Sequence, residues 1–159
     1  MATDKELLQA KEAFKTLCAM LDGREWKYDK DEENLAIKSG ASGDDLPIDI
    51  RITVDPNKQL VTLLSQLPYS VPEDDRVLLA VAVCAANYNM VDGSFDYNLS
   101  SGNIMFRMTT SIRESIISQD VFEYMLYVSC RTVDEYNDKF FMLTKKTMSL
   151  EDFIKMTKE

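Results

Sequence analysis

Three cysteines, an acidic run and a small-residue segment are the groups of this chain that could carry chemistry. Catalytic triads, cysteine–histidine pairs and most zinc sites need a histidine, and the 159-residue sequence contains none. Cys18, Cys84 and Cys130 lie far apart, each in an apolar helical segment. Free cysteines in such segments are commonly buried as small hydrophobes, so we expect all three to be structural.

The acidic run covers residues 29–33 (DKDEE), and the small-residue segment covers residues 39–43 (SGASG). The acidic run lacks the Asp-x-Asp-x-Asp-Gly order of a calcium loop, which favours a solvated turn. The small-residue segment lacks the lysine and the following helix of a phosphate-binding loop. Lysine or carboxylate catalysis is not excluded by counting residues, but no pair stands out. We therefore expect a protein that is not an enzyme, with no catalytic residue, cofactor or metal.

The charge of the chain restricts its partners. The formal net charge is −9, from 27 acidic and 18 basic residues, which argues against nucleic acid or an anionic membrane surface as the main partner. The longest apolar run, residues 77–86, is about half of the roughly 18–20 residues that cross a bilayer. The charged N-terminus has no apolar signal segment after it. We expect a cytoplasmic protein with one domain over residues 1–159.

Hydrophobic periodicity predicts ten elements in the order α-β-β-β-β-α-β-β-α-α. Because the strands come as hairpins, this is an antiparallel α+β domain with a sheet of about five to six strands flanked by helices. A loose loop is expected over residues 39–45. The helices are predicted over residues 4–22, about 72–90, 119–143 and 150–157, and the strands near 26–28, 35–37, 47–54, 59–67, 94–99 and 104–108.

Two of these elements raise the question of what covers them. The strand over residues 59–67 is more uniformly apolar than the strand before it, so it is either central with both faces covered or keeps one face for a partner. The second helix is apolar around nearly its whole circumference. Such a helix is buried on more than one side, either by the domain alone or by a second subunit.

Burial patterns follow from the same periodicity. Thr3 and Glu6 predict a capping box at the start of the first helix. The strand that begins at Pro47 alternates strictly, so its isoleucines and Val54 should be buried. The expected buried stripes are Leu7, Ala10, Phe14, Leu17, Cys18 and Leu21 in the first helix and Val121, Met125, Val128, Thr132, Tyr136 and Phe140 in the third.

Residues 87–108 form the end of the second helix and a regular β-hairpin. Asn87 and Asn89 are expected to end the helix and to satisfy backbone groups there. Gly102 allows the positive φ of the turn. Met105 and Arg107 share the strand face opposite the core, so they are the candidate partner-binding residues. The apolar faces of the two strands are Phe95, Tyr97 and Leu99, and Ile104, Phe106 and Met108.

Residues 46–141 resemble the YbjN-like bacterial proteins. The resemblance rests on the apolar helix that ends in Asn-Tyr-Asn, the hairpin with Gly-Ser-Phe and Ile-Met-Phe-Arg, and the later Val-Asp-Glu-Tyr. This family is similar in fold to type III secretion chaperones, which are small acidic cytoplasmic proteins that often dimerise. The resemblance implies a non-enzymatic protein with a regulatory or chaperone-like role, and it supplies no catalytic residue.

Two functions follow as hypotheses. The first is a protein-binding module, a homodimer through the second helix or the exposed sheet face, that binds a client or regulatory polypeptide. The alternative is a small-molecule-binding sensory domain, with the ligand between the sheet and its helices.

Overall fold

An antiparallel six-stranded sheet organises the fold, with the strand order β1-β2-β3-β4-β6-β5. The computed structural model describes residues 1–158, and its element order is the predicted one. The helices are α1 (Asp4–Gly23), α2 (Arg76–Tyr88), α3 (Gln119–Thr144) and α4 (Leu150–Met156), with a 3₁₀ turn over Glu73–Asp75. The strands are β1 (Tyr28–Asp31), β2 (Ala36–Ser42), β3 (Pro47–Asp55), β4 (Leu60–Ser70), β5 (Ser94–Asn98) and β6 (Asn103–Ser111).

The helices cover only one face of the sheet. α1 and α3 pack against each other and against the central strands, whereas α2 contacts β5 at the sheet edge and α4 packs on α2. β3 buries the predicted Ile48, Ile50, Ile52 and Val54 on the covered face. β4 lies between β3 and β6, and it also alternates, with Val61, Leu63, Ser65 and Leu67 buried. Its central position is confirmed, but its second face remains uncovered.

The first helix begins at its predicted cap, and the last helix also has a side-chain cap. The Thr3 and Glu6 capping box is present, and the Ser149 side chain accepts a hydrogen bond from the Asp152 amide. α1 buries its predicted stripe from Ala10 to Leu21. Leu7 was expected in that stripe but is exposed, because it lies in the first turn of α1, before the buried part of the stripe begins.

One prediction of local structure is wrong and another is right in part. Residues 39–42 were expected in a loose loop, but they form the end of β2 and pair with residues 47–50 of β3. Small residues fit there because a Cβ on Gly40 would meet the Ile48 carbonyl oxygen at 3.2 Å.

The stripe predicted for α3 is half buried. Met125, Tyr136 and Phe140 are buried as predicted, whereas Val121, Val128 and Thr132 are partly buried at the margin of the covered arc. That arc consists of Phe122, Met125, Leu126, Ser129, Val133, Tyr136, Asn137, Phe140 and Leu143.

Candidate partner-binding surfaces

The helix α2 lies along the outer edge of the sheet beside β5. Its core side carries Leu79, Ala82, Val83 and Ala86, all of which are buried. The predicted hairpin follows, with Phe95, Ile104, Phe106 and Met108 buried and Gly102 at φ 75° in its turn. An uncovered strand edge offers unpaired N–H and C=O groups to other chains, and proteins commonly cover it with a helix.

Two polar side chains fasten α2 to this edge. The Asn87 amide Nδ2 donates to the Phe95 carbonyl at 2.9 Å, and the Phe95 N–H donates to Asn87 Oδ1 at 2.8 Å. Arg76 Nη1 donates to the carbonyls of Leu99 at 3.2 Å and Ser100 at 2.8 Å. Arg76 and Asn87 lie about three helical turns apart, so they share one side of the helix. Asn87 therefore satisfies backbone groups as predicted, although they belong to a strand.

The side of α2 that faces away from the core is apolar and uncovered. It carries Val77, Val81, Cys84 and Tyr88, a set that we call the α2 stripe. Val77 is 75% exposed, Val81 46% and Tyr88 87%. The spacing of four, three and four residues is that of a helix–helix packing seam. The described chain thus buries α2 on its core side and leaves the stripe to solvent.

One expectation fails at this surface, because Cys84 was expected to be buried but is exposed on the α2 stripe. Leu99 ends the expected apolar strand face and also begins the expected turn, and it lies in that turn and is 56% exposed. Both side chains line a groove beside Tyr97, between α2 and the edge of β5. Cys84 is exposed because nothing within residues 1–158 covers this side of α2.

Met105 and Arg107 lie on the second uncovered surface, the open sheet face. This face is formed by the outward side chains of the central strands: Thr53, Thr62, Leu64, Met105, Arg107 and Thr109. Met105 pairs across the ladder with Gln66 on β4 and Asp96 on β5, and it is partly buried.

The guanidinium of Arg107 already has a partner within the sheet. Its Nε lies 2.6 Å from Asp96 Oδ2, and its Nη2 lies 3.0 Å from Asp96 Oδ1. These two hydrogen bonds raise the pKa of Arg107 above its ordinary value. Register alone could have suggested the contact, because Asp96 and Arg107 stand diagonally across the β5–β6 pair.

The remaining chemical groups have structural positions. Burial raises the pKa of the Cys18 thiol and raises that of Cys130 to about 11, so both are protonated at neutral pH. Residues 29–31 of the acidic run lie in β1, which begins at Tyr28 rather than at Trp26, and Glu32 and Glu33 form the turn that follows. Asp31 accepts hydrogen bonds from the Asn34 backbone and side chain across that turn, and the whole run is exposed. Among residues 1–158, no cluster of three or more potential metal ligands occurs. None of the helices described is long and apolar enough to span a bilayer.

A third concave surface lies between α1 and the β1–β2 hairpin. It is a groove of about 600 Å³, open to solvent, whose lining combines three lysines and two carboxylates with an apolar floor: Lys11, Lys15, Lys30, Asp22, Glu32, Phe14, Cys18 and Leu35. The Lys30 ammonium lies 6.0 Å from the centre of the Phe14 ring and is paired with Glu32. Lys11 and Lys15 are therefore the groove lysines that form no ion pair among the described residues.

Comparison with known proteins gives one family and several related folds. The family model described as "YbjN: Putative bacterial sensory transduction regulator" matches residues 14–142. The resemblance predicted from the sequence is therefore confirmed over more than half of the chain. No curated protein matches the sequence.

Three solved structures share the fold. "YbjN, a putative transcription regulator from E. coli" has a TM-score of 0.57 at 12% identity, with 78% of this chain and 87% of that chain covered. The HopA1–SchA chaperone–effector complex has a TM-score of 0.52 at 12% identity, with 80% of this chain and 95% of that chain covered. The ExsC–ExsE complex has a TM-score of 0.56 at 10% identity, with 79% of this chain and 90% of that chain covered. These neighbours include secretion chaperones, and at such identities the likeness concerns the fold.

Proposed function

Because the chain belongs to the YbjN family, we propose that it is a non-enzymatic protein-binding module with a regulatory or chaperone-like role in the bacterial cytoplasm. The family and its structural neighbours are regulators and chaperones rather than enzymes. Two of the neighbours were solved in complexes, one with an effector. The observation that carries the proposal is the uncharged α2 stripe, an apolar helix face outside any enclosed pocket.

The proposal gives the two uncovered surfaces different partners. The α2 stripe binds a second copy of the chain, which makes a homodimer. The open sheet face binds an extended segment of a client or regulatory protein, with Met105 as a flexible apolar contact and Arg107 beside it. Residues 1–158 act as one domain, which is supported by a continuous core from Ala10 in α1 to Phe153 in α4.

A capture experiment tests the client surface. Immobilised wild-type protein retains partners from a lysate of the native host, and the purified partner is then titrated calorimetrically. Met105→Glu should weaken that binding at least tenfold, whereas Tyr127→Glu, which places the same charge on an exposed residue of α3 away from the open sheet face, should not change it. Equal binding by wild type and Met105→Glu would contradict the assignment of the open sheet face.

Small-molecule sensing is a second candidate, and the groove between α1 and β1–β2 favours it. The groove combines three lysines with two carboxylates and the Phe14 ring, so it suits a ligand with a single anionic group and an apolar part. The fluorescent probe anilinonaphthalene sulfonate should then bind, and Lys15→Glu should weaken binding whereas Lys146→Glu should not. If Lys15→Glu binds the probe as tightly as wild type does, small-molecule sensing at this groove is wrong.

A further inference from the structure

We infer that the open sheet face selects an acidic polypeptide segment, which it binds through a line of basic side chains and a neighbouring line of threonines. The inference rests on the proposed client-binding function and adds to it the chemistry of the partner. It follows from the register of the sheet, which brings these side chains together from four strands, β2, β3, β4 and β6.

The register places three basic residues in one line across the open sheet face. Lys38 on β2 pairs with Arg51 on β3, and Arg51 pairs with Leu64 on β4. Leu64 in turn pairs with Arg107 on β6. We call these four residues the cation row. It gives the centre of this face a local charge opposite to the net charge of −9 of the chain.

A second line, beside the cation row, carries hydroxyl groups and no charge. Thr53 pairs with Thr62, and Thr62 pairs with Thr109. Each of these threonines lies two residues along its strand from a member of the cation row, so its side chain is on the same face. Guanidinium, ammonium and hydroxyl groups can all donate hydrogen bonds to a carboxylate. The two lines together therefore form a surface rich in donors.

The basic side chains of the cation row remain available to a partner. Lys38 and Arg51 are exposed, and neither belongs to an ion pair within residues 1–158. Arg107 is paired with Asp96 through its Nε and Nη2 atoms, which uses two of the five N–H groups of a guanidinium. Asp96 thus holds Arg107 in position and leaves N–H donors for a further carboxylate.

The acidic side chains of this face lie around the two lines rather than between them. Asp29 and Asp31 are on β1 at the sheet edge, and Asp49 and Asp96 lie on the side of the cation row away from the threonines. Asp55 lies beyond the threonines and accepts hydrogen bonds from backbone N–H groups of its own turn. A narrow acidic segment fits between these carboxylates, whereas a nucleic-acid backbone or an anionic bilayer would extend over them and be repelled.

The length of the cation row fits an extended peptide that crosses the strands. Neighbouring strands lie about 4.8 Å apart, so Lys38 and Arg107, which are three strands apart, are separated by about 14 Å. In an extended segment, residues i and i+4 are also about 14 Å apart and point to the same side. Carboxylates at these positions would reach both ends of the row, and an apolar residue at i+2 would lie between Arg51 and Leu64. The expected pattern is therefore acid-x-apolar-x-acid.

Fluorescence anisotropy with designed peptides tests this selection. The probe is a fluorescein-labelled Gly-Ser-Glu-Thr-Val-Thr-Glu-Ser-Gly peptide, and its control has glutamine in place of both glutamates. The acidic peptide should bind, and the glutamine peptide should bind about tenfold more weakly or less tightly still, because charge-assisted hydrogen bonds are lost. Added salt should weaken binding of the acidic peptide, because it screens the attraction.

Variants of the cation row locate the binding site. Arg51→Glu should weaken binding of the acidic peptide by about tenfold or more, because it places a like charge in the middle of the row. Lys38→Glu, at the end of the row, should weaken it less. Arg131→Glu makes the same change at an exposed arginine of α3 and should leave binding unchanged. Melting curves confirm that each variant is folded.

Three results would overturn the inference. They are equal binding of the two peptides, no binding of the acidic peptide at millimolar concentration, and an Arg51→Glu variant that binds the acidic peptide as wild type does. If oligothymidine or phosphatidylserine vesicles bind more tightly than the peptide and Arg51→Glu abolishes that binding, the row serves another polyanion and the inference is also wrong.

The proposed client binding is judged separately, with the partner captured from the host lysate. A partner that is bound normally by Arg51→Glu but weakly by Met105→Glu would refute the selection of acidic segments alone. A partner that Met105→Glu binds normally would refute the client surface itself.

Discussion

Replacing Asn87 with alanine tests whether its side chain fastens α2 to the sheet edge. The carboxamide donates to the Phe95 carbonyl at 2.9 Å and accepts from the Phe95 N–H at 2.8 Å, as a neighbouring strand would. Alanine removes the donor and the acceptor of the carboxamide, which leaves the Phe95 carbonyl and N–H of β5 unpaired. The substitution keeps a good helix former near the end of α2, so the helix itself should be unaffected.

The size of the effect follows from these two groups. A buried polar group that loses its partner costs about 1–3 kcal/mol. Asn87 is only partly buried, so water can reach the site and the lower half of that range applies. For two groups, we therefore expect Asn87→Ala to lower the free energy of unfolding by about 2–4 kcal/mol. For a chain of this length, that corresponds to a fall in melting temperature of about 4–16 °C.

Urea unfolding followed by far-UV circular dichroism measures this loss, and Asn89→Ala is the matched control. The Asn89 side chain makes one exposed hydrogen bond, to the Thr157 carbonyl at 2.8 Å, which water can replace. Asn89→Ala should therefore cost about 0.5 kcal/mol or less. If the two alanine variants unfold at the same urea concentration, the Asn87 contact does not fasten the helix and the reasoning is wrong.

Three further perturbations test the core, the hairpin turn and the alkaline limit of stability. Ile50→Asp should unfold the chain, because Ile50 is fully buried in β3 and an unpaired carboxylate cannot be solvated there; a cooperative melt near that of wild type would show otherwise. Gly102→Ala should lower the free energy of unfolding in urea by about 2 kcal/mol or more, because Gly102 has φ 75° and a Cβ there would clash with the Val71 backbone. Gly23→Ala is the control and should be close to neutral, because nothing lies within 4 Å of a Cβ at Gly23. Burial raises the pKa of Cys130 to about 11, so the folded state holds this proton more tightly than the unfolded state and stability should fall as pH rises from 9 to 11. In Cys130→Ala the free energy of unfolding should fall less over this pH range. If it falls as steeply as in wild type, the Cys130 thiol does not cause the fall.

The sequence was sufficient where local pattern and tertiary packing agree. The alternation of β3 predicted its buried face, and the Thr3 and Glu6 pair predicted the start of α1. It failed for residues 39–42, because serine, glycine and alanine carry little strand preference and β3 supplies the pairing. It predicted only half of the α3 stripe, Met125, Tyr136 and Phe140, since Ser129 and Asn137 are polar yet fully buried at the centre of the covered arc.

The candidate surfaces were only partly predictable. Strand alternation placed Met105 and Arg107 opposite the core, but it did not reveal that Asp96 holds the guanidinium. An apolar helix such as α2 has the same sequence pattern whether its own chain or another one covers it. Only the tertiary structure shows that Val77 and Tyr88 lie outside the core.

The central claim, that the α2 stripe is an intermolecular surface, is tested most directly by the mass of the protein in solution. Light scattering at micromolar concentration should give twice the chain mass of 18.2 kDa for wild type and the single chain mass for Val81→Glu. Tyr127→Glu, which places the same charge on an exposed tyrosine of α3, should remain a dimer. A wild-type protein at 18.2 kDa, or a Val81→Glu variant that still dimerises, would contradict the account.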